Sequence, residues 1–278
     1  MRIINKFKAV MLLFLAPFLS QSCEEVPVFE DDDQLPVVEG FLYANQPVNG
    51  IAVSKVLPFG TTDEEVALSG LDISIIHDGT TYQLLESEDK LGRYEYPGND
   101  LMIYTGGQYD LEFDFNGRQV TSSTNVPPPP VGLSISTNDI FLPQLVERRD
   151  IRTLLQNLDN NLLVEWENPD GDYYFLVVEN IETDPEPIDL NNILNFNFQF
   201  TSSPTQNDFF TLRPLTQFTQ FGTHRIIVYR VNEAYALLYE TLEQDSRNLN
   251  EPFSNITNGV GIFSGFASDT LLLEVRKR

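Results

Sequence analysis

The stretch 106–126, GGQYDLEFDFNGRQVTSSTNV, decides how the chain is read. Tyr109, Leu111, Phe113 and Phe115 alternate with Asp110, Glu112 and Asp114, so a strand here has one apolar and one charged face. Asn116-Gly117 supplies a turn that tolerates positive φ, and the chain returns through Gln119 to Val126. A helix would scatter the same apolar side chains around its circumference. The pattern therefore predicts an antiparallel hairpin, buried on one face and wet on the other.

Neighbouring segments repeat that logic. LDISIIHDGTTYQLL (71–85) places His77-Asp78-Gly79 between two alternating runs, a second hairpin signal. LPVVEGFLYAN (35–45), VNGIAVSKVLPF (48–59) and GRYEYPG (92–98) are further strand candidates bounded by Gly, Pro and Asn. Together they predict a small antiparallel sandwich over 35–126. The succession LDISI, Gly92-x-Tyr94, Gly106-x-x-Tyr109-x-Leu111 and a closing Thr-rich strand resembles the transthyretin-like or carboxypeptidase-regulatory-like immunoglobulin-type modules.

Pro127 to Pro130 end that unit, because consecutive prolines cannot pair in a sheet and form a stiff polyproline stretch. Residues 127–131 are read as a spacer and 132–278 as a second β domain. Within it, Leu162, Val164 and Trp166 alternate with Leu163, Glu165 and Glu167. Asn168-Pro169-Asp170-Gly171 then turns the chain into an apolar strand from Tyr173 to Val178, a succession that resembles a fibronectin type III strand pair with its core tryptophan. FNFQF (196–200), THRIIVYRV (223–231) and TLLLEVRKR (270–278) add strands. Ala234, Leu237, Leu238 and Leu242 follow a helical period, which predicts one helix near 232–247. The fold class expected is mainly β, with two immunoglobulin-like/transthyretin-like β-sandwich domains in tandem and one helix in the second.

Ahead of the first domain, Arg2, Lys6 and Lys8 precede an apolar run of 11 residues from Ala9 to Leu19. That run is short of the roughly 20 residues a transmembrane helix needs, so 1–22 reads as a cleaved signal peptide. Cys23 is the chain's one cysteine. It has no second Cys for a disulfide, only His77 and His224 as nitrogen ligands for a metal, and Glu24 and Glu25 beside it disfavour a thiolate. Leu19-Ser20-Gln21-Ser22-Cys23 resembles the lipobox of bacterial lipoproteins, with Gln21 where a small residue is usual. The resemblance implies a diacylglyceryl-modified Cys23 and attachment to a membrane. Residues 23–34 form an acidic tether. Its Glu24, Glu25, Asp31, Asp32 and Asp33 look like the surface-export signal of Bacteroidota lipoproteins, and like-charge repulsion keeps such a tether solvated in any case.

Loss of 1–22 leaves 14 Lys+Arg against 41 Asp+Glu, a formal charge of −27. Nucleic acid and anionic head groups are disfavoured as partners, since binding them takes clustered cations. With 41% hydrophobic and 12% aromatic residues the chain nonetheless has ample material for a packed core.

The order of signal cysteine, LPVVEGFL, proline spacer, VEWENP, VNEAYALLYETL, EPFSNITNGVGIFSGF and terminal strand resembles a Bacteroidota lipoprotein family known as domain of unknown function 4249. Its most specific element runs from Glu251-Pro252-Phe253 to Gly261-Ile262-Phe263. Genes of that family commonly neighbour those of TonB-dependent outer-membrane receptors, and the family brings no assigned activity and no catalytic residues. The resemblance implies a lipid-anchored protein of the outer membrane, at the cell surface of a Bacteroidota bacterium.

No catalytic constellation is legible. His77 sits at a hairpin turn and His224 enters an apolar strand, both more in keeping with packing than with a Ser-His-Asp arrangement. Asp170 and Asp172 lack the ligand run of a calcium loop, so NPDGDYY reads as a turn. No enzyme activity, cofactor or metal is expected. Two segments are candidates for binding. Residues 193–222 hold Phe196, Phe198, Phe200, Phe209, Phe210, Phe218 and Phe221, either an aromatic platform or a core strand. TNGVGIFSGFAS (257–268) is either a glycine-shaped protruding loop with Ile262, Phe263 and Phe266 at its tip, the candidate partner contact, or a buried loop whose glycines allow tight turns against the sandwich. The expected role is a non-enzymatic accessory subunit of a TonB-dependent receptor-like outer-membrane barrel, in transport or export. The alternative is a surface lipoprotein that captures a glycan or peptide.

Overall fold

The computed structural model describes residues 35–56, 66–147, 161–191, 199–242 and 253–278. The signal segment, Cys23, the acidic residues Glu24, Glu25, Asp31, Asp32 and Asp33, and Phe196 and Phe198 lie outside them.

The strands of the first half are β1 (Pro36–Tyr43), β2 (Ile51–Lys55), β3 (Ser74–His77), β4 (Thr80–Gln83), β5 (Leu85–Glu86), β6 (Arg93–Glu95), β7 (Gln108–Phe115) and β8 (Arg118–Asn125). Those of the second are β9 (Val131–Ile135), β10 (Asp139–Leu142), β11 (Leu162–Glu167), β12 (Tyr173–Asn180), β13 (Phe200–Thr201), β14 (Phe209–Leu212), β15 (Gly222–Val231) and β16 (Val260–Lys277). A short helix α1 (Pro214–Gln217) and a longer α2 (Glu233–Leu242) complete the described elements. The protein is mainly β, as the alternation predicts.

Both predicted hairpins form where the turn chemistry puts them. β7 pairs with β8 from Gln108 opposite Asn125 to Phe115 opposite Arg118, and β3 with β4 closes at His77 opposite Thr80. Their turn residues all have positive φ, +48° and +74° at Asp78-Gly79 and +50° and +74° at Asn116-Gly117, the mirror-image turn that matches strand twist. The second half is also built of the expected strands, but β11 and β12 do not pair. Asn168 brackets the bend between them, accepting from Asp172 N and donating to Asp172 O and Gln206 O, and the chain crosses from one sheet to the opposing one.

Three sheets result. A nine-stranded sheet runs β13-β12-β15-β16-β1-β2-β6-β5, with β10 also on β16. A four-stranded sheet, β4-β3-β7-β8, packs over the β1–β2–β6 region, enclosing Val38, Leu42, Ile51, Tyr94, Ile75, Tyr109 and Leu111. The three-stranded sheet β14-β11-β9 packs over the β12–β15 region, enclosing Val164, Trp166, Tyr174, Leu176, Val228 and Leu273. Pro127 to Pro130 connect β8 to β9 and so lie between the two cores. The cores are nevertheless not carried by separate sheets, and 35–278 forms one compact unit.

β16 makes the join. Its first part pairs in parallel with β1, from Val37 opposite Val260 to Tyr43 opposite Phe266. Its remainder pairs antiparallel with β15 from Phe266 to Val275 and in parallel with β10 from Glu274 to Lys277. At 18 residues it spans roughly 60 Å. Strand alternation then assigns its side chains: Phe263 enters the first core, Leu273 and Val275 the second, and Phe266 the opposite face of the sheet.

The loop reading of TNGVGIFSGFAS is thereby corrected. Ile262, Phe263 and Phe266 are 2%, 0% and 2% exposed in a central strand and are core side chains, closed to any partner in the folded protein. The glycines serve close backbone approach. At Gly261, with φ +110°, an added Cβ would lie 2.1 Å from Val38 O on the paired strand. The segment before it is tied down by Asn255, whose side chain accepts from Phe263 N (2.9 Å) and donates to Phe263 O (2.8 Å) as a strand would. Asn258 donates to Gln119 O, and Thr257 exchanges backbone hydrogen bonds with Thr121 of β8.

Gly261→Ala therefore combines left-handed backbone strain with a clash that only displacement of β1 relieves. Gly79→Ala, at φ +74° with nothing within 4 Å of the added carbon, meets the strain alone. In chemical denaturation we expect losses of about 3 kcal/mol or more for the first and about 1 kcal/mol for the second. Equal effects would remove the role given to the β1–β16 approach.

Candidate functional site

On the outer face of the large sheet, opposite both cores, aromatic side chains converge from four elements. Phe41 and Tyr43 project from β1, Phe175 from β12, Tyr229 from β15 and Phe266 from β16, with Val177, Ile227 and Val231 beside them. Tyr43 stacks on Phe266 with ring centroids 5.2 Å apart, and Phe175 on Tyr229 at 4.8 Å. Phe41 meets Phe266 edge to face at 5.2 Å. From α2, Tyr235 adds an edge contact to Phe266 at 5.0 Å.

The helix is placed for this by its first turn. Asn232 accepts Tyr235 N and Ala236 N at its backbone carbonyl, while its side chain donates to Thr124 Oγ1 and Asn125 O of β8. Ala236 is the residue buried most fully, so the inner face sits slightly off the Ala234, Leu237, Leu238 stripe that the sequence period suggests. Phe266 is the covered centre of this patch, while Phe41, Tyr43, Tyr229 and Tyr235 are half-buried around it.

The Tyr43, Tyr229 and Tyr235 hydroxyls have no hydrogen-bond partner among the described residues. Burial, helped by Tyr229, Tyr235 and Glu39, pushes the Tyr43 phenol up to about 12. Burial likewise raises Tyr229, with Glu179 adding to it, and Tyr235, with Tyr239 and Glu39 adding to it. These are neutral phenols with apolar bodies and free polar tips, the kind of side chain enriched in protein interfaces.

A second concavity lies at the other side of β12. A polar cleft of ≈ 360 Å³ is lined by Glu179, Asn180, Gln199, Gln217, Thr219, Gln220 and His224. Its floor is fully bonded: His224 donates from Nδ1 to Gly222 O (3.0 Å) and accepts at Nε2 from Asn180 Nδ2 (3.3 Å). That assignment follows because a carbonyl only accepts, so Nδ1 carries the proton. Burial lowers the His224 pKa, and the imidazole is held neutral as a structural group. Gln217 also lines an adjoining groove of ≈ 530 Å³ together with Phe200, Phe210, Ser203, Thr205 and Asn207.

The remaining sequence candidates resolve simply. His77 donates from Nδ1 to Gln108 O (2.8 Å) and stacks on Tyr109 at 4.3 Å, bracing two neighbouring strands. Asp172 is engaged by Arg230, which leaves the Asn168–Gly171 bend a structural turn. Phe218 and Phe221 are buried in the second core, whereas Phe200 and Phe210 are half-buried, tilted against each other at 5.9 Å, and Phe209 is exposed. The described part of the Phe-rich segment thus divides between core and groove. The outer aromatic patch was legible only as a hint: VVEGFLY, YYFLVV and RIIVY are apolar at both parities, the mark of strands covered on both faces.

Tyr43 couples the patch to pH. Its proton is held in the folded protein beyond the ordinary value of 10, so its contribution to stability is complete below pH 10 and is lost as pH rises toward about 12. Alkaline unfolding is expected in that window. Tyr43→Phe, which keeps the ring and removes the titrating group, makes the loss shallower; an identical pH profile for the two proteins contradicts the burial assigned to Tyr43.

Two comparisons bear on identity. No curated protein shows significant similarity to the chain. The model of a family described as domain of unknown function (DUF4249) matches residues 24–271, from the position after Cys23 to within the last strand. The match takes in β1, the Asn255–Gly261 segment and most of β16, the elements that join the two cores, and the chain belongs to the DUF4249 family.

Proposed function

We propose that the protein is a lipid-anchored surface lipoprotein of a Bacteroidota outer membrane, acting without enzymatic chemistry as an accessory subunit of a TonB-dependent-transporter-like barrel. The observation that carries this reading is the tyrosine-rich patch formed by Phe41, Tyr43, Tyr229 and Tyr235 around Phe266. It takes over the contact role that the buried Ile262, Phe263 and Phe266 cannot fill themselves. An acylated Cys23 leaves a tether of at most roughly 40 Å before Pro36. β1 then carries the chain about 25 Å from Pro36 to Tyr43, so the patch works within reach of the external loops of a barrel in the same membrane. Acidity speeds encounter with basic loops, and the aromatic patch supplies the desolvated centre a lasting contact needs. A second reading, surface capture of a glycan or peptide, is favoured by the amide-lined cleft beside β12.

Three measurements test the first reading. Cys23→Ala is expected to move the protein from the membrane to the soluble fraction, and replacement of Glu24, Glu25, Asp31, Asp32 and Asp33 by Ala to reduce digestion by external protease. Unchanged fractionation refutes the anchor. Cross-linking in intact cells followed by purification is expected to recover an outer-membrane barrel, and Tyr43→Ser with Tyr229→Ser to lose it while the melting transition persists. Recovery of the intact protein without a barrel, under conditions that preserve other outer-membrane complexes, counts against the accessory role.

A further inference from the structure

The cleft beside β12 is polar yet electrically neutral. Its one carboxylate, Glu179, is occupied on both oxygens, by Gln199 Nε2 at 2.8 Å and by Arg225 at 2.7 Å. Asn180 is committed too: its amide nitrogen donates to Phe221 O and His224, and its oxygen accepts Glu182 N. What faces the open volume is different in kind. Among the described residues, Gln217 accepts Arg213 N at its oxygen and has no partner at its amide nitrogen, and Gln220 and Thr219 make no side-chain hydrogen bond. Amides and a hydroxyl not engaged by the described residues offer donors and acceptors there, and the lining's one carboxylate is already paired.

Beyond Gln217 the surface changes. The half-buried rings of Phe200 and Phe210 line the adjoining groove, bordered by hydroxyls and an amide at Ser203, Thr205 and Asn207. The two spaces, ≈ 360 and ≈ 530 Å³, each fall within the range of about 300–1,000 Å³ typical of small-ligand sites. A fatty ligand finds too few apolar walls in the first space, where an ion finds Glu179 and Arg225 already engaged with each other; Arg213, the charged residue among the described lining of the adjoining groove, also has a partner. A ligand dense in neutral hydroxyls and carrying an apolar C–H face satisfies both parts, hydrogen bonding to amides and resting its C–H face on a ring.

We propose that this groove is a binding site for a short neutral oligosaccharide, with Gln217 and Gln220 reading hydroxyls and Phe200 and Phe210 supporting a sugar face. The site rests on the capture reading and does not depend on docking to a barrel.

The test is calorimetric titration of the full chain in detergent with neutral hexasaccharides: maltohexaose, cellohexaose, xylohexaose and mannohexaose. Hexagalacturonate and a hexapeptide pool serve as the charged and peptide arms. At least one neutral sugar is expected to bind, hexagalacturonate is not, and Gln220→Ala is expected to weaken binding by about five-fold, the worth of one hydrogen bond. Phe210→Ala and Gln217→Ala are expected to weaken it at least as much. Because the Gln220 side chain makes no hydrogen bond among the described residues, and its bridge to Pro187 is a backbone one, its variant retains the fold and keeps the test decisive. Binding that is unchanged in Gln220→Ala and Phe210→Ala overturns the site. Preference for the peptide pool, lost in the same variants, overturns the sugar class while leaving capture intact, and silence in every arm removes both.

Discussion

The backbone approach of β1 to β16 is the contact on which the rest of the architecture depends. At Gly261 there is no room for a side chain against Val38 O, so the parallel pairing around it is set by close packing as much as by hydrogen bonds. A parallel pair between the first and last strands of the folded region closes nearly the whole chain into one loop. The entropy of that closure rises only slowly with length and is offset by what the pairing organises. It places Phe263 in the first core and lets the same strand continue under the second.

Because one strand serves both halves, the large sheet acquires two distinct faces. One supports the two smaller sheets and is buried by them. The other has no sheet opposite it among the described residues, and there the chain uses aromatic side chains and α2 as a partial cover. Bulky tyrosines suit that position: their rings bury against Phe266 and Ile227 while their hydroxyls reach solvent. The anchored, acidic protein proposed here would present this face and the amide-lined groove from different parts of a single compact unit. A barrel contact and a sugar site need not then compete for the same surface.

What the sequence discloses follows from which interactions are local. The β3–β4 and β7–β8 hairpins were legible because Asp78-Gly79 and Asn116-Gly117 specify their turns and the alternation specifies their faces. The strand identities of β11, β12 and β15 were legible for the same reason. Their partners were not, since nothing within LLVEWE states that it pairs with β9 and β14 and not with the strand that follows it. The family segment was misread most. Glycines at 259, 261 and 265 suggest a loop by composition, whereas here they let the chain lie close against distant backbone, that of Pro36 and Val38, more than 200 residues away, at Gly259 and Gly261, and that of Asn125 and Val126 at Gly265. The cleft was invisible for a related reason: its glutamines are unremarkable singly and become a site only when β12, α1 and β15 bring them together.

The central claim, that β16 binds both cores into one cooperative structure, is tested most directly by native-state hydrogen exchange along β1, β8, β11 and β15, read alongside calorimetry of the intact protein. The account predicts a single heat-absorption peak with equal calorimetric and van't Hoff enthalpies, and slowest-exchanging amides in β1 and β15 that share one opening free energy. Two resolved transitions, with β1 and β8 opening while β11 and β15 stay protected, would show two independent domains that happen to touch, and would contradict it.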